Sequence, residues 1–180
     1  MSRFNYTITK TFPHSLGLSC VYRQAKAGSH CRHLHGYALE FEITIGAHRL
    51  DECGWVYDFG NFKHVKEWLQ SQFDHTLLVA HDDPHIHILT SLADDVVDLA
   101  NVITLPTIGA EAFATHVLRY MEILLKNVDN DPRKSQPEVV SVTCREHQGN
   151  SATVHAPLYN TQHPRASIPT RVDKDEAEEE

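Results

Sequence analysis

Eight consecutive residues, His30-Cys31-Arg32-His33-Leu34-His35-Gly36-Tyr37, form the densest set of chemically active side chains in the chain. His33 and His35 are two apart, so an extended backbone puts both imidazoles on one face. Imidazoles presented in this way suit a metal ion. A catalytic zinc takes three protein ligands and keeps one position open. Cys20, eleven residues before Cys31, can add a thiolate from a neighbouring strand. The competing reading is a histidine-rich loop around a buried cysteine. Cys31 is also a candidate reactive thiol, because His30, Arg32 and His33 favour its thiolate if they lie close in space.

Further positions can carry chemistry. Asp74-His75 can form half of a proton relay, in which the carboxylate fixes the imidazole tautomer and the imidazole moves the proton. Read alone, it is as well a capping Asp beside a surface His. Glu146 ends an apolar stretch, so its carboxylate must reach the surface, find a partner or hold a ligand. A guanidine-like ring edge offers two parallel N–H donors that one carboxylate can accept. Glu111 can approach the same ligand or simply favour a helix dipole. Arg23, Lys26 and Arg32 could form a cationic rim for a phosphorylated substrate, or a solvated face.

The elements that must position these residues follow from periodicity. Residues 5–12 read as a strand ended by Pro13, and residues 15–29 as an extended segment followed by a loop. Residues 37–45 alternate strictly, with Tyr37, Leu39, Phe41, Ile43 and Ile45 on one face. Residues 51–54 read as a turn and residues 54–58 as a short returning strand, giving an antiparallel hairpin. Phe62, Val65, Trp68, Leu69 and Phe73 make one helical stripe over residues 61–73, with Asp58 or Asn61 as its cap. Residues 75–79 open an irregular stretch. Residues 91–99 read as a short helix and residues 102–105 as a short strand. A second long helix covers residues 110–127, and a last strand residues 139–146, with Val140, Val142, Cys144 and Glu146 on one side. This order predicts an α+β fold, with helices on one face of an antiparallel sheet.

Composition limits the function classes. The 180 residues carry a formal charge of −8, which argues against nucleic acid as a partner. The terminal stretch 173–180 holds most of that charge, so the body is close to neutral and can keep a basic pocket. Residues 1–156 read as one domain, and residues 157–180 as a flexible acidic tail. No apolar run approaches the ~20 residues of a membrane span, and residues 1–6 lack the apolar core of a signal peptide. The expected location is cytoplasmic, where the four cysteines would be thiols.

Taken in order, Cys31-x-x-x-His35-Gly36, Gly54-Trp-Val-Tyr-Asp58-Phe59, Phe73-Asp74-His75, Gly109-Ala-Glu111-x-x-Ala114 and Cys144-Arg145-Glu146 resemble one family. It is that of 6-pyruvoyl- and 6-carboxy-tetrahydropterin synthases. The resemblance runs from about residue 4 to residue 154.

It implies a tunnelling fold: an antiparallel four-stranded sheet with two long helices on one face, in subunits that assemble as trimers or hexamers with active sites at subunit interfaces. It implies a zinc-dependent lyase acting on 7,8-dihydroneopterin triphosphate, with 6-carboxy-5,6,7,8-tetrahydropterin, on the route to queuosine and other 7-deazaguanines, as the expected product. The 6-pyruvoyl product and a pterin- or purine-binding paralogue without turnover are the alternatives.

By position, Cys31 is the proton-abstracting thiolate, Asp74 and His75 the relay pair, Glu146 the pterin anchor, and Glu111 lies near the ring. The family's metal ligands are a histidine eleven residues before the cysteine, then His-Gly-His. Here those places hold Cys20, His35 and Tyr37. The implied Zn2+ ligands are therefore Cys20 and His35, with Tyr37, His30, His33 or His147 as the third. Where the family often has Thr two residues before the Glu, this chain has Gly109.

Overall fold

The computed structural model describes residues 3–126 and 135–156. Seven strands form one sheet: β1 Tyr6–Phe12, β2 Leu18–Tyr22, β3 His35–Ala47, β4 Thr76–Ala80, β5 Asn101–Leu105, β6 Glu138–His147 and β7 Asn150–His155. Its helices are α1 Phe62–Phe73, the short α2 Ile86–Thr90 and α3 Ala110–Lys126. The class is α+β, as expected, but the sheet is larger than four strands and is mixed. Its order is β5-β4-β2-β3-β6-β7, with β1 also paired to β3. The proposed tail at 157–180 and most of the polar linker at 129–137 lie outside the described residues.

The long strand β3 organises the molecule. β1 and then β2 line one edge, pairing Phe12 with Phe41 and Leu18 with Leu39, while β6 takes the other edge. Leu39, Phe41, Ile43 and Ile45 are fully buried. They face α1, through Phe62, Val65, Leu69 and Phe73, and α3, through Phe113, Val117, Leu118 and Met121. The helices meet through a parallel stack of Trp68 on Tyr120 with centroids 3.8 Å apart, and through the Phe73–Phe113 edge contact at 5.7 Å. A close approach governs Gly46: a Cβ there would fall 2.5 Å from the Phe4 ring.

Several local expectations change. Residues 54–58 form no strand. Asp51 Oδ1 accepts the amides of Cys53 (2.9 Å) and Trp55 (2.8 Å), which closes a tight turn, and both edges of β3 are already occupied. Residues 76–80, read as irregular, form β4. All five are buried, and β4 runs parallel between β2 and β5. A strand covered on both faces has no period-two signature. The short helix spans Ile86–Thr90 and continues as a 3-10 turn over Ser91–Ala93, so only the first three residues of the helix expected over 91–99 are helical. Strand β6 is not the last, because it turns at Gln148-Gly149 into β7, with His147 opposite Asn150. A bulge near Val140 shifts the β6 register, so Val139 rather than Val140 joins Val142 and Cys144 in the core. Asp58 caps the 3-10 turn that leads into α1, accepting from the Gly60 amide at 2.7 Å, and Asn61 makes no side-chain cap.

Candidate active site

Strand register assembles the first part of the site. Cys20 lies opposite Tyr37, and Tyr22 opposite His35. Residues two apart on a strand share a face, so these four side chains point the same way. Tyr22 sits 4.9 Å from His35 and 6.1 Å from Tyr37, centroid to centroid, and His35 is 5.7 Å from Tyr37. Phe113 of α3 packs its edge on Tyr22 at 5.0 Å. His147, at the end of β6, lies 6.0 Å from Tyr37.

Strand β6 adds Cys144 and Glu146. The Tyr22 hydroxyl donates to Glu146 Oε1 in a short hydrogen bond. Sequence reasoning missed Tyr22. Its only signal was a position two residues after Cys20, which places it on the same strand face. Burial first, and then the charge of Glu146, push the Cys20 thiol up to about 12. Burial also raises Cys144 well above the ordinary thiol range, with smaller contributions from Cys20, Glu146 and Glu111. Glu111 is exposed in the first turn of α3. It approaches the cluster from the helix side. Gly109, two residues before it, has φ +121°, a conformation that Thr would adopt only under strain.

The residues implied as zinc ligands share a face but do not fit a three-ligand zinc centre. Cys20 would bring a thiolate where the family has an imidazole, which adds negative charge at the metal and weakens its Lewis acidity. The Tyr37 position supplies a phenol, which is not among zinc's ordinary donors. His35 is left as the one imidazole of the set, with its Nδ1 2.8 Å from the His33 carbonyl. Among the described residues no group of three His, Cys, Asp or Glu side chains could hold a metal ion, so His30, His33 and His147 do not complete the set.

The proton-transfer candidates sit elsewhere. Asp74 ends α1, and the His75 Nδ1–H donates to its Oδ1 at 2.6 Å. The His75 side chain is 88% exposed, so Nε2 faces outward. Its backbone is left-handed, with φ +54°, and its N–H donates a hydrogen bond to the Ser19 carbonyl at 2.7 Å. Cys31 lies in a 3-10 turn, His30–Arg32, and is partly buried. Its carbonyl accepts from the Gln24 amide at 2.8 Å. His75 therefore stands beside the start of β2 and Cys31 beyond its end. Five residues of extended chain separate those two anchors, roughly 15 Å. These backbone anchors place the thiol and the relay pair toward opposite ends of β2 within one chain.

The expected cationic rim is largely neutralised. Arg23 makes a two-point pair with Asp83, at 2.8 and 2.6 Å. That bond, more than any other contact, holds the buried Asp83 carboxyl below its ordinary range. Lys26 pairs with Asp82. These pairs fasten the loop after β2 to the turn after β4.

A family profile described as 6-pyruvoyl tetrahydropterin synthase matches residues 7–157, the stretch that carries every one of these positions. The chain belongs to the 6-pyruvoyl tetrahydropterin synthase family. Curated relatives include the 6-carboxy-5,6,7,8-tetrahydropterin synthase of Rickettsia typhi, 44% identical over 57 residues, or 31% of this chain and 41% of the relative. That of Aquifex aeolicus is 28% identical over 78 residues, 43% of this chain and 48% of the relative. The matched stretches thus span less than half of these relatives' length.

Solved structures agree with the family fold. An uncharacterized protein of Wolinella succinogenes superposes with TM-score 0.66 at 20% identity, covering 84% of this chain and 98% of that one. The 6-pyruvoyl tetrahydropterin synthase of Plasmodium falciparum gives 0.55 at 17% identity, with the same coverages. At these identities the likeness concerns the fold alone. No helix among the described residues is long and apolar enough to cross a membrane.

Proposed function

We propose that this member of the family is a lyase that converts 7,8-dihydroneopterin triphosphate to 6-carboxy-5,6,7,8-tetrahydropterin. Family membership and the names of the curated relatives support the reaction class. The observation that carries the chemistry is the Asp74–His75 hydrogen bond. It leaves the Nε2 lone pair exposed for proton transfer, on a residue held in a left-handed conformation. Such backbone strain is retained where surrounding structure imposes it, often at functional sites.

In this reading Glu146 accepts the two N–H groups of the pterin edge, and Glu111 approaches the ring from α3. Cys31, as thiolate, removes a proton from the side-chain carbon, and His75, oriented by Asp74, exchanges protons with the side-chain oxygens. No step is assigned to zinc, because the donor set does not fit it. The distance between Cys31 and His75 along β2 supports a site shared by two copies of the chain, with the thiol from one and the relay pair from the other. Trimers or hexamers, as in the family, would provide that.

The test is incubation of the purified protein with 7,8-dihydroneopterin triphosphate. Release of both triphosphate and acetaldehyde is the expected result. Triphosphate without acetaldehyde would indicate the 6-pyruvoyl product. Pterin binding with no turnover would replace the lyase by a binding paralogue, a reading that the unsuited metal position favours.

A further inference from the structure

We propose that Tyr22 is a positioning residue that orients Glu146 to accept a cyclic guanidine edge, the paired N–H donors of a 2-amino-4-oxo-pyrimidine ring. The proposal rests on the reading of Glu146 as ring anchor and adds what holds that anchor in place.

Tyr22 and Glu146 are not on neighbouring strands. The sheet order is β2-β3-β6, so their hydrogen bond spans β3, a gap of two strand spacings or about 9–10 Å. Only long side chains reaching toward each other can close it. The phenol is buried, with 3% of its surface exposed. It is fixed by Phe113 on one side and His35 on another. A buried hydroxyl must find a partner, and the one it finds is the Glu146 carboxylate.

The benefit is reciprocal. Glu146 is half-buried beside the buried thiols Cys20 and Cys144. Among the described residues Tyr22 supplies its side-chain hydrogen bond. An ionised carboxylate has about four lone-pair sites, so the phenol leaves room for two parallel N–H donors. Two-point acceptance needs both oxygens in the plane of the incoming ring edge. Glu alone has three rotatable bonds to settle, and the Tyr22 bond removes much of that freedom before the ligand arrives. Preorganisation of this kind is gained as affinity and as discrimination.

Tyr22→Phe is the discriminating variant, because it removes one oxygen and keeps the ring between Phe113 and His35. Fluorescence titration of the full chain with pterin and with lumazine, the analogue with oxygen in place of the exocyclic amine, reads the effect. The wild type is expected to prefer pterin. Tyr22→Phe is expected to weaken pterin binding roughly ten- to a hundredfold and lumazine binding much less, so that the preference collapses. KM for the triphosphate substrate should rise with kcat nearly unchanged. Glu146→Gln should lose the same preference, and the double variant should be little worse than either single one. Unchanged discrimination in Tyr22→Phe overturns the proposal. Equal weakening of both ligands overturns it too, since that is the mark of a purely structural tyrosine. A wild type with no preference for pterin overturns the ring-anchor reading itself, which separates that failure from a failure of Tyr22.

Discussion

The imidazole of His75 lies with Nδ1 2.6 Å from Asp74 Oδ1, on a left-handed backbone at φ +54° whose N–H donates to the Ser19 carbonyl. The carboxylate holds one nitrogen and the backbone aims the other outward. Asp74→Asn can offer its amide N–H to the ring and select the wrong tautomer. Turnover should fall roughly 10²–10⁴-fold, with little change in stability. His75→Asn, which tolerates the left-handed backbone, should lose turnover equally and keep its melting temperature. Steady-state kinetics and thermal melts on both variants check this, and near-normal turnover in either would remove the relay.

The separation of Cys31 from His75 along β2 gives a second expectation. Cys31→Ala and His75→Asn should each be inactive and still bind pterin. Unfolded together and refolded as a mixture, they should regain activity that neither has alone, because some shared sites then receive both intact groups. Mixed samples that stay as inactive as the parents would place the whole site within one chain.

Metal content gives a third. With the Tyr37 phenol where the family has an imidazole, and no group of three metal-binding side chains among the described residues, the purified protein should carry well under one zinc per chain. Elemental analysis measures it directly. One zinc per chain, lost in both Cys20→Ala and His35→Ala, would restore the three-ligand centre and bring Tyr37 or a neighbouring histidine back as the third donor.

Stability should depend on pH through His116, which is wedged between α3 and α1. Its ring lies 5.2 Å from Trp68, and its Nε2–H donates to Gln72 Oε1 at 3.3 Å. Burial first, and then Arg119, lower its pKa to about 4. The unfolded chain takes the proton near pH 6.5, before the folded one does. The neutral fold is therefore fully stable above about 6.5 and loses stability as pH falls toward 4, by about 3 kcal/mol at most. Chemical denaturation at pH 7.5 and 4.5 should reveal this loss, and His116→Gln should reduce it. An unaltered pH dependence in the variant would assign the effect to other groups.

Much of the frame was legible without coordinates. The alternation of Leu39, Phe41, Ile43 and Ile45 identified β3, and the stripes from Phe62 to Phe73 and from Phe113 to Leu125 identified α1 and α3. Each of these elements buries one face, and one-sided burial is what periodicity reports. The short motifs around Cys31, Asp74-His75 and Glu146 singled out the residues and the family. Strand β4 escaped because Thr76–Ala80 is covered on both sides. Strand β7 escaped because it is a short, largely polar strand at the end of the sheet.

The sequence by itself determined which side chains were available and which faces of the main elements had to be buried. Only the tertiary structure decided which of those side chains meet. Tyr22 reaches Glu146 because β3 lies between their strands, Arg23 is consumed by Asp83, and Cys31 stands a strand's length from His75. These relations depend on strand order and on partners distant in the chain. Local periodicity carries no record of either, because it is set by which face is buried and not by what lies across it.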